Sequence, residues 1–250
     1  MQKKEMCMKH HGREIYGMLY TPDGSTKCPM VIFSHGYNGS GKGAEGYAQY
    51  LAERGIGSYC YDFCGGSVTS RSSMPTTEMT LFTEKEDLLA VYDRISSLEN
   101  TDKDSVFLFG ESQGGLVSAL AANELKGLIK GLILIFPALC IADNWNQKFE
   151  NTEDIPEEEE FWGMKLGKKF FTSMRGFDTF ANIREFGGRV LIIHGDQDEV
   201  VPVSYSQTAI GEYQNARLQV LIGEGHGFSK EGSQQAIQMT YDMIKECVRK

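Results

Sequence analysis

No stretch of the sequence is apolar for long enough to cross a membrane. A spanning helix needs about 18 successive apolar residues, whereas the best run in the 250 residues, at 132–136, is short and fits a buried strand. The first ten residues include lysines but no apolar stretch behind them, so they lack the form of a secretory signal. We therefore expect a soluble protein that is not exported and that resides in the cytoplasm.

Positive charge is also scarce. The chain has 25 Lys and Arg residues against 34 Asp and Glu residues, which gives a formal net charge of −9. Phosphate backbones and anionic lipid headgroups repel such a surface. We expect neither nucleic acid nor a membrane as a partner, and the sequence leaves a homo-oligomer open.

The six cysteines show neither a disulfide framework nor a metal-binding pattern. Cys60 and Cys64 have C-x3-C spacing, but no second pair of Cys or His residues lies nearby to complete a metal site. Without an export signal, scattered cysteines indicate reduced thiols. We expect no bound metal.

Apolar residues make up 41% of the chain, enough for the core of one large domain. After a predicted hairpin of residues 5–10 with 14–20, strand-like and helix-like segments alternate. The strand-like segments are residues 30–34, 57–61, 105–109, 132–135, 189–193 and 217–222, and the helix-like ones are 43–54, 81–98, 113–125, 203–213 and 232–248. Because the strands are continuously apolar, the pattern predicts an α/β fold, a mostly parallel sheet covered by helices on both faces.

Residues 138–184 interrupt this alternation. Eight of the 47 residues are aromatic, about 17%, against 11% for the whole chain. We interpret the segment as a small cap inserted into a single domain of residues 1–250. Its acidic run, residues 157–160, is expected on a solvated helix face. Trp145, Phe161 and Trp162 are predicted to contact substrate, the alternative being that they form the cap's own core.

The strongest chemical signal is a G-x-S-x-G motif centred on Ser112. It joins a strand-like run to a helix-like one, and a serine on such a sharp turn is strained and exposed. Gly110 and Gly114 fit because a side chain at either position would clash with its neighbours. We predict that Ser112 is a nucleophile, in preference to an ordinary helix N-cap.

A serine nucleophile needs a base and a group that orients the base. His226 follows the last strand-like run between two glycines, which favours it as the base over His10, His11, His35 and His194. The acid is predicted to be Asp198, with Asp196 as the competitor. All three groups follow strands, and the carboxyl ends of strands are where the active groups of an open α/β sheet gather.

The tetrahedral oxyanion needs two backbone N–H donors. We assign them to Gln113, which follows the nucleophile, and to Tyr37, which lies in a glycine-containing loop after an early strand. His35 is expected to brace that loop. This chemistry needs no cofactor.

Four motifs together resemble the α/β-hydrolase superfamily, and within it the small cinnamoyl and feruloyl esterases. They are H-G-Y at 35–37, G-E-S-Q-G at 110–114, H-G-D-Q-D-E-V-V-P at 194–202 and G-E-G-H-G-F at 223–228. The resemblance extends from about residue 30 to the C-terminus and implies an α/β-hydrolase fold, the Ser112, Asp198 and His226 triad, and cleavage of a carboxylic ester through an acyl-enzyme. Two positions depart from it: residues 62–67 read Asp-Phe-Cys-Gly-Gly-Ser where relatives carry Gly-His-Gly, and Glu111 replaces a common His.

The resemblance therefore predicts a small-molecule ester as the partner, with an aromatic or small acyl group. A serine peptidase or amidase with the same triad is the first alternative. A catalytically silent binding protein of the same fold is the second, and the intact set of triad residues argues against it.

Overall fold

The computed structural model describes residues 1–24 and 26–248. Its centre is an eight-stranded sheet, and two small hairpins lie outside it. The strands of the main sheet are β1 (Gln2–Glu5), β4 (Gly17–Thr21), β5 (Cys28–Ser34), β6 (Gly57–Tyr61), β7 (Thr101–Glu111), β8 (Gly131–Ile135), β11 (Arg189–Gly195) and β12 (Ala216–Leu221). The hairpin strands are β2 (Met8–His10) with β3 (Arg13–Ile15), and β9 (Glu158–Phe161) with β10 (Met164–Gly167).

The main sheet has the order β1-β4-β6-β5-β7-β8-β11-β12. The six strands from β6 to β12 run parallel, and β1 and β4 join one edge in antiparallel pairing. This confirms the predicted mostly parallel sheet. Every parallel strand therefore ends at the same edge, where the motif residues follow.

Helices cover both faces of the sheet, as the continuously apolar strands predict. The helices are α1 (Glu45–Ala52), α2 (Leu81–Ser96), α3 (Ser112–Glu124), α4 (Ile141–Lys148), α5 (Lys168–Thr172), α6 (Val203–Glu212) and α7 (Lys230–Val248). None of them, in the part of the chain that the structure describes, is long and apolar enough to cross a bilayer.

The strands bury both of their faces, so two cores form. Along β5, Met30 and Ile32 pack with α2 and α3, whereas Val31 and Phe33 pack with α1 and α7. Successive side chains of a strand point to opposite faces, so an uninterrupted apolar run supplies both cores at once.

The N-terminal hairpin of residues 5–10 with 14–20 forms as predicted. β2 pairs with β3 next to the turn, and β1 pairs with β4 in the same register, from Met8 opposite Ile15 to Glu5 opposite Met18. Between these two pairs the Met6 N–H donates to the Gly17 carbonyl. β4 also pairs with β6, so the hairpin joins the edge of the main sheet, which local patterning does not reveal.

The chain leaves the sheet after β8 and returns at β11. This excursion contains α4, β9, β10 and α5 and includes the aromatic-rich residues 138–184. The acidic run 157–160 is exposed as expected, but most of it forms β9 and not a helix. That prediction was wrong because β9 pairs with β10, with Lys165 opposite Glu160 and its ammonium 3.2 Å from Glu158 Oε2.

Candidate active site

Ser112 lies at the turn between β7 and α3. Its φ of 51° is in the left-handed region, which is strained for a residue with a side chain. A Cβ atom added at Gly110 would lie 2.2 Å from the Gly114 carbonyl oxygen, and one at Gly114 would lie 2.3 Å from the His35 carbonyl oxygen. Both glycines are therefore required by close backbone approach, the reason the sequence predicts for them.

Three side chains from distant loops meet at this turn. The Ser112 Oγ atom lies 2.9 Å from His226 Nε2, and His226 Nδ1 lies 2.8 Å from Asp198 Oδ2. Ser112 follows β7, Asp198 follows β11 and His226 follows β12. The parallel arrangement of these strands brings the hydroxyl, imidazole and carboxylate into one hydrogen-bonded series.

The Asp198 carboxylate is buried and well supplied with donors. Its Oδ1 atom accepts the backbone N–H groups of Val200 at 2.9 Å and Val201 at 2.8 Å. Burial alone would raise the pKa of Asp198, but the hydrogen bonds from Val201 and His226 outweigh burial and lower it. Asp198 is thus held as a carboxylate beside the imidazole.

The competing aspartate and histidines have other roles and do not contact Ser112. Asp196 accepts the Gly223 N–H at 2.6 Å and shapes its loop without touching a histidine. His10 lies in the β2–β3 hairpin and His11 in its turn. His194 is buried, and its Nδ1 atom lies 2.7 Å from Ser206 Oγ.

His35 braces the loop that follows β5. Its Nδ1–H donates to the Gly36 carbonyl at 2.7 Å, and its Nε2 accepts the Phe63 N–H at 3.0 Å. Burial lowers the pKa of His35, so the ring is neutral and can accept at Nε2. The loop of residues 62–67, which departs from the esterase pattern, is tied to the site in this way.

The two assigned backbone donors both border the site. The Tyr37 N–H donates to no group in the described part of the chain. Gln113 is the second residue of α3, where N–H groups have no acceptor within the helix and the helix dipole favours negative charge. Tyr37 and Gln113 line the same cavity as Ser112. The arrangement can receive an oxyanion formed at a carbonyl that Ser112 attacks.

The cavity at Ser112 has a volume of about 350 Å³ and walls that are mainly apolar. Its walls include the three aromatic residues that the sequence singled out, Trp145, Phe161 and Trp162. Trp162 is 58% exposed at the tip of the β9–β10 hairpin. Its ring stacks on Phe161 with centroids 4.5 Å apart.

The alternative role, a place in the core of the excursion, is seen for Trp145. The Trp145 ring packs edge-on against Phe161 and Phe171, at centroid distances of 5.1 and 4.8 Å. Phe171 is fully buried. Trp145 therefore belongs to the small core of the excursion and presents another part of its surface to the cavity.

Sequence reasoning missed two polar residues of the cavity wall. Asn144 and Lys148 lie on α4 with Trp145 and line the cavity. Their i, i+4 spacing places them on one face of the helix, so the helical period could have identified them once α4 was recognised. The Lys148 ammonium pairs with Glu159 of β9.

Glu111, the second departure from the esterase pattern, forms no ion pair with any described residue. Burial raises its pKa to about 7. No group of three or more His, Cys, Asp or Glu residues within 1–24 and 26–248 is placed to hold a metal ion.

Comparisons with known proteins agree with this geometry. The Hydrolase_4 family model, described as "Serine aminopeptidase, S33", matches residues 25–156, just over half of the chain. Among solved structures, Est1E from Butyrivibrio proteoclasticus with bound ferulic acid is 27% identical, with 98% of this chain and 100% of that chain covered and a TM-score of 0.90. A second Est1E structure gives 26% identity, coverage of 98% and 99%, and a TM-score of 0.85. The α/β-hydrolase GrgF from Penicillium sp. sh18 is 14% identical over 99% of both chains, with a TM-score of 0.79, which supports the fold alone.

Proposed function

The chain belongs to the Hydrolase_4 family of serine hydrolases with the α/β-hydrolase fold, and from this premise we propose that it cleaves carboxylic esters through an acyl-enzyme. The observation that carries the proposal is the hydrogen-bonded series from Ser112 through His226 to Asp198, which opens onto a mainly apolar cavity. The substrate in this proposal is a small-molecule ester, and only side chains and backbone N–H groups take part in the reaction.

In the first half of the reaction Ser112 Oγ attacks the ester carbonyl carbon. Its proton passes to His226 Nε2, while Asp198 holds the Nδ1–H and stabilises the imidazolium that forms. The backbone N–H groups of Tyr37 and Gln113 donate to the oxyanion. The imidazolium then gives its proton to the leaving alkoxide, the C–O bond breaks, and the acyl group stays on Ser112.

The second half repeats these steps with water. His226 takes a proton from water, the hydroxyl oxygen attacks the acyl carbon, and the same two N–H groups hold the new oxyanion. The imidazolium returns the proton to Ser112 Oγ as the acid leaves. Because an imidazolium forms in both halves, Asp198 must stay ionised throughout the working pH range.

We further propose that the preferred acyl group is aromatic, of the hydroxycinnamoyl class. Support comes from the aromatic side chains of Trp145, Phe161 and Trp162 in the cavity wall, which offer flat apolar surface to a planar ring. Further support comes from the 27% identical neighbour that holds ferulic acid. In this proposal residues 138–184 act as a cap within a single domain, and they contribute these three rings.

A second candidate is cleavage of a peptide or amide bond. It is favoured by the description of the matched family as a serine aminopeptidase. The same triad could serve an amide, provided that the leaving amine is protonated by His226. The apolar cavity offers no obvious group for a charged amino terminus besides Glu199 at its wall.

The proposed site is tested by a panel of substrates and a covalent probe. We expect faster hydrolysis of feruloyl esters than of acetyl, butyryl or octanoyl esters, and slow hydrolysis of aminoacyl amides. A fluorophosphonate should label the native protein and fail to label Ser112→Ala. Faster cleavage of the amides would favour the peptidase alternative, and no adduct on folded native protein would favour a silent binding protein.

We also propose a reducing compartment such as the cytoplasm. All six cysteines carry free thiols in the structure, and five of them are buried. Detection of a disulfide in protein isolated with thiols blocked would contradict this location.

A further inference from the structure

Glu84 of α2 is buried beneath the site and forms no ion pair with the residues that the structure describes. Its side chain is 1% exposed, and its Oε2 atom accepts a hydrogen bond from Gln113 Nε2 at 2.8 Å. Arg13 pairs with two other acids of α2, Asp87 at 3.3 Å and Glu86 at 3.2 Å. Burying a carboxyl group without a charged partner costs free energy of folding. No step of the proposed mechanism uses this group.

Gln113 is the residue that follows the nucleophile. Its side chain is 3% exposed, and besides Glu84 its Nε2 atom approaches only the Met79 sulfur, at 4.0 Å, among the described residues. Fixing this side chain also fixes the direction of the residue's backbone N–H, one of the two assigned oxyanion donors. An amide held in advance contributes more to catalysis than one that must reorient.

The same carboxyl group packs against the segment that supports the other donor. A Cβ atom at Gly66 would lie 3.0 Å from Glu84 Oε1 and 3.3 Å from His35 Cε1, so the three groups are in close contact. The Gly66 carbonyl accepts the N–H of Asn38, the residue after Tyr37, at 3.1 Å. Glu84 thus lies between the turn that carries Ser112 and the loop that carries Tyr37.

We propose that Glu84 is a positioning residue for the oxyanion hole, which holds the Gln113 amide through its side chain and supports the Tyr37 loop through Gly66. This inference rests on the proposed serine hydrolase function. It adds a residue of α2 that no motif in the sequence marks, and Glu84 acts through Gln113 without touching substrate.

The surroundings of Glu84 make its role depend on pH. Burial raises the pKa of Glu84 to about 8, although the hydrogen bond from Gln113 opposes the rise. On its own helix, Asp87 also opposes ionisation of Glu84. Burial raises the pKa of Asp87 itself to about 6, and Arg13 from β3 faces that residue.

Within residues 1–24 and 26–248, the other groups around Glu84 are uncharged. Tyr37 from the oxyanion loop and Tyr61 from β6 are phenols whose pKa values are raised by burial, with a further contribution from Glu84. His35 is neutral because burial lowers its pKa, and burial keeps the Cys64 thiol protonated by raising its pKa. Glu84 is therefore a neutral acid at pH 7, and its ionisation above about pH 8 places an uncompensated negative charge beside the developing oxyanion.

The test compares Glu84→Gln, Glu84→Leu and the native protein. Glu84→Leu removes the acceptor for Gln113, and we expect kcat to fall about tenfold at pH 7 with KM within about twofold, because only part of the donor geometry is lost. Glu84→Gln has the shape of the neutral acid. It should keep kcat within about twofold at pH 7 and lack the decline that we expect of the native enzyme above pH 8.

Glu86→Gln is the matched control, since Glu86 lies on the same helix but is exposed and directed toward Arg13. It should leave kcat and the pH profile unchanged. If Glu84→Leu does not fold, the profile of Glu84→Gln decides alone. The inference would be overturned if kcat of Glu84→Gln declined above pH 8 as it does in the native protein. It would also be overturned if Glu84→Leu folded and kept the native kcat.

The rate of labelling by a fluorophosphonate separates this inference from the substrate class. The probe requires Ser112 and the oxyanion hole but no particular acyl group, so slower labelling of Glu84→Leu is expected whichever ester is preferred. If the native protein is labelled and both Glu84 variants are labelled at the native rate, only the role of Glu84 is overturned. Unlabelled native protein would overturn the proposed function and this inference with it.

Discussion

His194 Nε2 lies 3.1 Å from Asp198 Oδ2, the oxygen that also lies 2.8 Å from His226 Nδ1. The same Nε2 atom lies 3.0 Å from the Val201 carbonyl, while Nδ1 lies 2.7 Å from Ser206 Oγ. Burial lowers the pKa of His194, so the ring is neutral, with a proton on Nε2 and the Ser206 hydroxyl donating to Nδ1. One buried histidine therefore fixes the carboxylate that orients the other.

Replacing His194 should slow catalysis, although this residue does not touch the substrate. We expect His194→Leu to lower kcat about tenfold, because Asp198 loses one hydrogen-bond donor worth about 1.5 kcal/mol. KM should change little, since His194 does not line the cavity. Steady-state kinetics on an aryl ester at pH 7.5 measures both quantities.

Ser206→Ala is the control for this change. It removes the partner of Nδ1 and leaves the contact between Nε2 and Asp198 in place. Urea unfolding of both variants separates lost stability from lost activity. A folded His194→Leu protein with native kcat would mean that Asp198 needs no support from this ring.

The two aspartates of the loop after β11 should differ sharply in their effect on rate. We expect Asp198→Asn to lower kcat about ten-thousandfold, because the amide favours the wrong tautomer of His226 and cannot stabilise the imidazolium. Asp196→Asn should keep kcat within about threefold of native, since the Asp196 carboxylate accepts a hydrogen bond only from the Gly223 N–H among the described groups. Comparable losses in the two variants would refute the assignment of Asp198 as the acid.

The Tyr37 side chain links the oxyanion loop to the β9–β10 hairpin. Its hydroxyl donates to the Phe161 carbonyl at 2.8 Å and lies 3.3 Å from the Met164 carbonyl. Tyr37→Phe keeps the backbone N–H but releases the hairpin that carries Trp162. We expect KM for a feruloyl ester to rise about fivefold, as loss of one hydrogen bond of about 1 kcal/mol predicts, with a smaller change in kcat.

Tyr92→Phe provides the comparison for that variant. Tyr92 donates to the Leu128 carbonyl at 3.1 Å and does not line the cavity, so the same chemical change there should leave KM alone. Equal KM values for native, Tyr37→Phe and Tyr92→Phe proteins would show that the hairpin needs no tie to the loop.

Glu111 should make the stability of the protein fall as pH rises. Burial raises its pKa from the ordinary 4.5 to about 7, so between these values the folded state holds a proton that the unfolded state has lost. The contribution of Glu111 to the free energy of unfolding is therefore fully present below about pH 4.5 and decreases as the pH rises to about 7. We expect Glu111→Gln to be more stable than native at pH 8 by about 1–3 kcal/mol and equal to native at pH 4.

Urea unfolding at the two pH values measures this difference. Glu99→Gln, a change at an exposed acid outside the main sheet, should track the native protein at both. A Glu111→Gln protein that gains nothing at pH 8 would show that Glu111 has a compensating partner in the folded state.

The local pattern of the sequence determined most of the α/β fold. The run of continuously apolar strands predicts a sheet covered on both faces, because each face of every strand must be buried. The strand, the glycines around Ser112 and the helix that follows are neighbours in sequence, so their strain and their clashes can be inferred from the motif itself. The order of Ser112, Asp198 and His226 is also visible in the chain.

Tertiary structure decided what depends on residues far apart in the chain. Only packing brings Glu84 to Gln113, His194 to Asp198 and the Tyr37 hydroxyl to the β9–β10 hairpin. Neither Glu84 nor His194 carries a sequence signal for these contacts, because a buried polar group takes its partner from whichever element packs against it. The acidic run in β9 shows the same limit, since pairing with β10 overrode the helix that its charge pattern predicts.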